Sequence, residues 1–247
     1  MKISVITVSY NNCGTLADTL NSVAAQSHPD VEHIIIDGGS KDGTAALLAQ
    51  WQQRLGPVVS EPDRGIYDAM NKGLALATGD YIGFLNADDV YADPSSLSRL
   101  HHAMLAETPD FCYGDLVYVR PNDLDHVVRR WTSGSFDSER LRQGWMPPHP
   151  TFYVRRNALP PGKCFDATMR IAADYEFMLG MMTRPGISAA YVPEVLVRMR
   201  TGGASNRSLG ALWRKSREDL RAMRRHRVGG LATLLAKNLR KIPQFLA

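Results

Sequence analysis

In the first part of the chain, short apolar runs alternate with segments whose apolar positions recur every three or four residues. Residues 3–10, ISVITVSY, form a β-branched run, and from about Thr15 to Gln26 the residues Leu16, Leu20, Val23 and Ala24 repeat at helical spacing. VEHIIID follows as a second apolar run ending in Asp37, then GGSKDGT, then a helical segment from Ala45 to Arg54 with Leu47, Leu48 and Trp51 on one side. GPVVSEP supplies a short third strand, and DRGIYDAMNKGLALATGD predicts a helix with Ile66, Met70 and Leu74 on its face and Asp63 as its cap. TGDYIGFL is the next buried strand. This β-α-β-α rhythm predicts a parallel sheet covered by helices.

The second half departs from that rhythm. After a helix near residues 95–106, FCYGDLVYV and HVVRRW are joined by RPNDLD and read as an antiparallel hairpin. IAADYEFMLGMM predicts a helix with Phe177, Met178, Met181 and Met182 as core filler. No internal repeat appears, and the composition changes only near Ser205. The predicted organisation is therefore a domain over residues 1–206 and a helical tail over 207–247.

Charge sharpens that division. The chain of 247 residues has a formal net charge of +4, but from Arg207 onward 11 Lys and Arg face 2 Asp and Glu, while 18 face 23 before it. The body is acidic and the tail strongly basic. Leu, Met, Trp and Phe lie among the tail's cations, a pattern suited to an anionic membrane surface. A solvated basic helix is the alternative. No aromatic-rich RNA-binding motif accompanies the charge, so a nucleic-acid partner is not expected.

The three cysteines, Cys13, Cys112 and Cys164, fit neither a zinc site nor a disulfide framework and suit a reducing compartment. The amino terminus lacks the apolar core of a secretory signal, and no run is apolar enough to span a membrane. These features predict a cytoplasmic protein associated peripherally with the inner face of the membrane. His101 and His102 have no spaced partner and read as packing or surface residues.

Candidate chemistry collects at three strand ends: TVSYNN, IDGGS and GFLNADD. In an open α/β sheet ligands bind outside the carboxyl ends of the strands, so these polar groups are placed to converge on one ligand. For Asp88 and Asp89 an Asx-rich turn is the competing reading.

TVSYNN, IDGGSKDGT, EPDRGIYDAMNKG, GFLNADD and AADYEF, in this order and spacing over residues 1–206, resemble the family 2 inverting glycosyltransferases. The nearest likeness is to bacterial members that assemble exopolysaccharide or colanic acid. The resemblance implies a GT-A fold: a Rossmann-like, mostly parallel sheet with antiparallel elements in the second half. It implies donor contacts from Thr7, Ser9, Tyr10, Asn11 and Asp37, with Asp88 holding Mn²⁺ or Mg²⁺ between the donor's phosphates. Asn86, Ala87 and Asp89 complete that D-x-D-like element. Here Asn86 replaces a common carboxylate and Gly38 replaces another acidic residue. The general base it implies is Asp174, with Glu176 as the fallback. Arg64 is placed for phosphate or donor sugar, with a surface ion pair as the alternative, and Trp145 and His149 for the acceptor or sugar pocket, with a core tryptophan and a packed histidine as the alternatives. Arg198, Arg200, Gly202 and Gly203 belong to a loop closing over the diphosphate.

The resemblance implies transfer of a sugar from a UDP- or GDP-linked donor to a hydroxyl of a saccharide, most simply a lipid-linked one, in cell-surface polysaccharide synthesis. Two alternatives stand beside it: glycosylation of a polyprenyl phosphate, and a nucleotide-sugar-binding protein without catalysis.

Overall fold

The computed structural model describes residues 1–202, 209–240 and 244. Its first half has the predicted rhythm: β1 (Ile3–Ser9), α1 (Cys13–Ala24), β2 (Val31–Asp37), α2 (Thr44–Trp51), β3 (Val58–Ser60), α3 (Ile66–Leu76) and β4 (Tyr81–Phe84). These four strands are parallel, in the order β3-β2-β1-β4. β1 is buried along its whole length because helices cover both faces of the sheet. Gly83 in β4 is dictated by packing: a Cβ there would stand 2.4 Å from the ring of Tyr153.

The second half contains β5 (Val90–Tyr91), α4 (Ser96–Glu107), β6 (Phe111–Arg120), β7 (Asp123–Trp131), α5 (Glu139–Arg142), β8 (Tyr153–Arg155), α6 (Ala173–Met182) and β9 (Ala189–Arg200). The hairpin β6-β7 forms as expected. β8 lies antiparallel between β4 and β6, while β9 runs parallel to β6 and antiparallel to β5, so the nine strands among the described residues form one mixed sheet. On α3 the buried face is set by Tyr67 and Met70, while Ile66 is 46 % exposed, a rotation from the predicted stripe. Asp63 does not cap this helix; its carboxylate takes the Lys72 ammonium at 2.5 Å.

The basic segment is not a separate tail. α7 (Leu209–Arg225) and α8 (Leu231–Leu239) complete the fold, and Ala222, Met223 and Val228 belong to the core cluster that also holds Ile6, Phe84, Phe177 and Met178. The reason lies in α6, which is buried on nearly every side: the sheet takes one face and α7 takes the other. Glu218 on α7 accepts hydrogen bonds from the backbone N–H groups of Arg170, Ile171 and Ala172, at 3.0, 2.8 and 2.9 Å. His226 and Arg225 meet the Glu176 carboxylate at 2.8 and 3.2 Å. The expected boundary at residue 206 is thus crossed by core packing and by ion pairs.

Candidate active site

At the end of β1 the side chains face different ways. Thr7 is fully buried and shares a 2.9 Å hydrogen bond with His33 on β2, a histidine whose pKa burial pushes down to about 3. Its expected donor contact is therefore corrected: the hydroxyl is spent inside the sheet. Ser9 is 5 % exposed and its Oγ has no hydrogen-bond partner among the described residues. Such an orphan costs about 1–3 kcal/mol unless something pairs it. Tyr10 is 65 % exposed over the strand end, and Asn11, at φ 53°, accepts the Lys41 N–H at 2.9 Å.

Asp37 is buried below this rim. One carboxylate oxygen accepts from the Ser40 N–H at 3.1 Å and the Ser60 hydroxyl at 2.6 Å, and the other accepts from the Ser40 hydroxyl. Asp37 thus ties the turn after β2 to β3, which corrects its assignment as a base or ribose contact. Gly38 is explained by its neighbours: a Cβ would stand 3.2 Å from both Asp63 Oδ2 and the Tyr10 ring. Arg64, itself exposed just before α3, pairs at 2.7 Å with the buried Asp68 of that helix.

The NADD turn after β4 divides its labour. Ala87 is packed among Leu16, Leu20, Ile35 and Leu48, so its side chain is core rather than ligand surface. Asp89 is fully buried, accepting the Arg200 N–H at 3.1 Å and the Asn86 side-chain N–H at 3.1 Å. Burial, reinforced by the neighbouring Asp88 charge, raises its pKa well above the usual carboxylate range. It anchors the turn to β9 and does not face a substrate. This also accounts for Asn86: its amide donates to Asp89, which a carboxylate there could not do. Asp88, half-buried, is the acid left at the mouth of the turn.

Arg200, missed as a structural residue by sequence reasoning, clamps the region. Its guanidinium donates to the Asp88 carbonyl at 2.7 Å, to the Pro121 carbonyl at 2.9 Å and to the Asp18 carboxylate. Arg198, expected in the closing loop, instead reaches the β6-β7 hairpin, donating to Asp125 at 2.5 Å and to the Leu124 carbonyl at 3.1 Å. Gly202, at φ 98°, lines the cavity described next; Gly203 lies outside the described residues.

That cavity, of about 470 Å³, is walled by Asp174, His149, Trp131, Met146, Arg200 and Gly202 together with Leu212, Lys215 and Lys237 of the last two helices. Asp174 stands in the first turn of α6. Its Oδ1 accepts from the Tyr175 N–H at 2.8 Å and from the Tyr67 hydroxyl at 3.3 Å, while Oδ2 makes no protein hydrogen bond among the described residues. Tyr67 cannot ionise readily, since burial and the Asp174 charge both raise its pKa, so it remains a donor. His149 stacks on Phe84 at 5.4 Å, with no hydrogen-bond partner for Nε2 among the described residues; burial lowers its pKa against the pull of Asp174. Glu176 is removed as a fallback base by its pairing with His226 and Arg225. Trp145 is also displaced: it donates to the Ser133 carbonyl at 2.7 Å and lines a neighbouring cavity.

Among the described residues no group of three or more His, Cys, Asp or Glu side chains forms a ready-made metal cage. The single carboxylate Asp88 at the turn's mouth fits a hard divalent ion whose other ligands are phosphate oxygens and water.

This fold and site define a glycosyltransferase of the GT-A fold. The chain belongs to glycosyl transferase family 2, whose sequence model matches residues 4–171. A PGL/p-HBAD biosynthesis glycosyltransferase of Mycobacterium bovis is 31 % identical over 208 residues, 82 % of this chain and 78 % of that protein. An uncharacterized glycosyltransferase of Mycobacterium tuberculosis is 32 % identical over 185 residues, 72 % of this chain and 67 % of its own. Among solved structures, S. aureus TarS 1-349 in complex with UDP-GlcNAc superposes with a TM-score of 0.72 at 18 % identity, covering 92 % of this chain and 65 % of that one. The mannosyltransferase PcManGT from Pyrobaculum calidifontis, in complex with GDP-Man and Mn²⁺, superposes with a TM-score of 0.69 at 19 % identity, covering 99 % and 73 %.

Proposed function

We propose that this glycosyltransferase moves a sugar, with inversion, from a nucleoside-diphosphate sugar to a hydroxyl of a lipid-linked saccharide in the synthesis of a cell-surface polysaccharide. The observation that carries this reading is Asp174: a carboxylate fixed through one oxygen by Tyr67 and Tyr175, with the other oxygen open to a sugar-sized cavity. That oxygen takes the proton of the acceptor hydroxyl as the hydroxyl oxygen attacks the anomeric carbon. The bond to the phosphate oxygen breaks on the opposite face, and the nucleoside diphosphate leaves with the electron pair. Tyr10, exposed over the strand end, is available to the donor's nucleoside, and His149, in the cavity wall, to the sugar. Mn²⁺ or Mg²⁺ held by Asp88 would offset charge on the departing diphosphate. Relatives support the donor class, since solved neighbours carry UDP-GlcNAc and GDP-Man.

The acceptor's lipid link is supported by α7 and α8. Leu231, Leu235 and Leu239 lie at i, i+4 and i+8 on α8 and are each over 60 % exposed, as is Trp213 on α7, amid the excess of Arg and Lys. We assign this face to the anionic inner surface of the membrane.

The test compares wild type, Asp174→Asn and Asp88→Ala by thermal shift with UDP, GDP, dTDP and CDP, with and without Mn²⁺, and then by transfer from the donor so identified. Asp174→Asn should retain the nucleotide-dependent shift yet lose transfer about 10²-fold or more. Asp88→Ala should lose the Mn²⁺-dependent part of the shift. Transfer unharmed by Asp174→Asn would sink the hydroxyl-acceptor reading in favour of transfer to a lipid phosphate, a nucleophile that needs no base.

A further inference from the structure

A second cavity, of about 340 Å³, adjoins the first and shares Trp131, Met146 and Lys237 with it. Its described lining carries four cations, Arg130, Arg140, Lys237 and Arg240, and no carboxylate. Lys237 is 4 % exposed and is neutralised from the far side by Asp219 at 2.8 Å, with its ammonium 3.2 Å from the centre of the Tyr175 ring. The three arginines are different: none makes an ion pair among the described residues. Arg140 donates to the Ser135 carbonyl at 2.7 Å and lies over the Trp145 ring at 5.3 Å, while Arg240 donates to the backbone and side-chain oxygens of Gln143 at 2.9 and 3.0 Å. Neutral acceptors thus orient these guanidinium groups without cancelling their charge.

The geometry points to this cavity as a subsite for the phosphate or diphosphate of the acceptor. Guanidinium groups bind phosphate oxygens in pairs of parallel hydrogen bonds, and three of them around one small space repel one another until an anion enters. The shared wall supplies the path: a sugar ring lying along Trp131 and Met146 would put its hydroxyl near Asp174 and its phosphate among the arginines. α8 supplies the third part, since it carries Lys237 and Arg240 into the cavity and exposes Leu231, Leu235 and Leu239 to the outside. A phosphate held here sits beside the face assigned to lipid, where the headgroup of a prenyl-diphosphate sugar would lie. The inference rests on the lipid-linked acceptor proposed above and makes the phosphate a handle, apart from the reacting centre.

The experiment titrates the full chain in EDTA, which suppresses metal-assisted diphosphate binding at the donor site, with farnesyl diphosphate, farnesol and inorganic pyrophosphate. Calorimetry and tryptophan fluorescence read the binding, the latter because Trp131 and Trp145 line the cavity. Farnesyl diphosphate should bind at least tenfold more tightly than either control. Arg130→Gln with Arg240→Gln should weaken it at least tenfold at an unchanged unfolding temperature, and Arg130→Lys with Arg240→Lys should restore most of the loss. Equal binding by wild type and the double Gln variant, or no binding by wild type, overturns the subsite. Pyrophosphate binding as tightly as farnesyl diphosphate overturns the lipid assignment and leaves a site for a free anion. Metal-dependent nucleotide binding and the effect of Asp174→Asn, measured on the same proteins, separate failure of the subsite from failure of the glycosyltransferase reading.

Discussion

Asn86 stands where a carboxylate is common, and its amide donates to a buried Asp89 that already lies beside Asp88. Asn86→Asp replaces that donor with a further carboxylate beside Asp88, leaving the buried Asp89 one hydrogen bond short. We expect a loss of about 1–3 kcal/mol, read as a lower midpoint in thermal unfolding, with Asn86→Ala falling between the two. An unchanged midpoint for Asn86→Asp would mean that the amide is not needed to hold Asp89. The same logic runs through Asp37, Thr7 and Arg200, which carry polar chemistry near the donor end of the sheet and spend it on their neighbours. Asp174 differs because it lines the cavity and only its Oδ1 is hydrogen-bonded among the described residues.

Helix α6 is where separate elements meet. Its first turn presents Asp174, yet Ala172 at its start provides no side-chain cap, and the unpaired N–H groups leading into it are taken by Glu218 from α7. A carboxylate in that position also complements the positive end of the helix dipole. Glu218→Ala should therefore lower stability by about 1–2 kcal/mol and reduce the transfer rate, while the nucleotide-dependent thermal shift is retained. Thermal unfolding and a comparison of kcat with nucleotide affinity check this. A variant with normal stability and normal kcat would show that α7 does not position the base. In a segment with 11 basic residues, the two acids Glu218 and Asp219 were the visible exceptions, and both turn inward. They were the available signal that this segment docks on the body.

At the scale of the whole molecule, charge and apolar exposure are polarised. The acidic body carries the sheet, while α7 and α8 bring the basic excess together with the exposed leucines of α8. If this face meets membrane, the full chain should float with anionic vesicles and not with neutral ones, and raising the salt should weaken the association as screening shortens. Leu231→Ser, Leu235→Ser and Leu239→Ser combined should weaken vesicle binding roughly tenfold or more without changing the unfolding midpoint by much, since all three side chains are already in water. Equal flotation with neutral and anionic vesicles, or no effect of the triple change, would remove the membrane from the account. Truncation at residue 206 is a poor test, because it would strip α6 of the helix that covers it.

The parallel first half, the hairpin, the motif order and the acidic turn at Asp88 were legible in the linear chain, because periodicity and strand-end chemistry are local properties. The place of Asp174 at the start of a helix was also legible, and the structure puts it in the first turn of α6. Which face of β1 carried Thr7 was not, because a strand buried on both sides has no polar alternation to reveal its orientation. Nor did the chain disclose β9 beside β6, the clamp made by Arg200, or the docking of α7 and α8, since these join residues far apart in sequence. Sequence by itself determined the order of elements and the chemical groups at their ends. Only tertiary structure decided which groups are consumed by neighbours and which stay open to a substrate, because burial and hydrogen-bond pairing depend on what the rest of the chain packs against each of them.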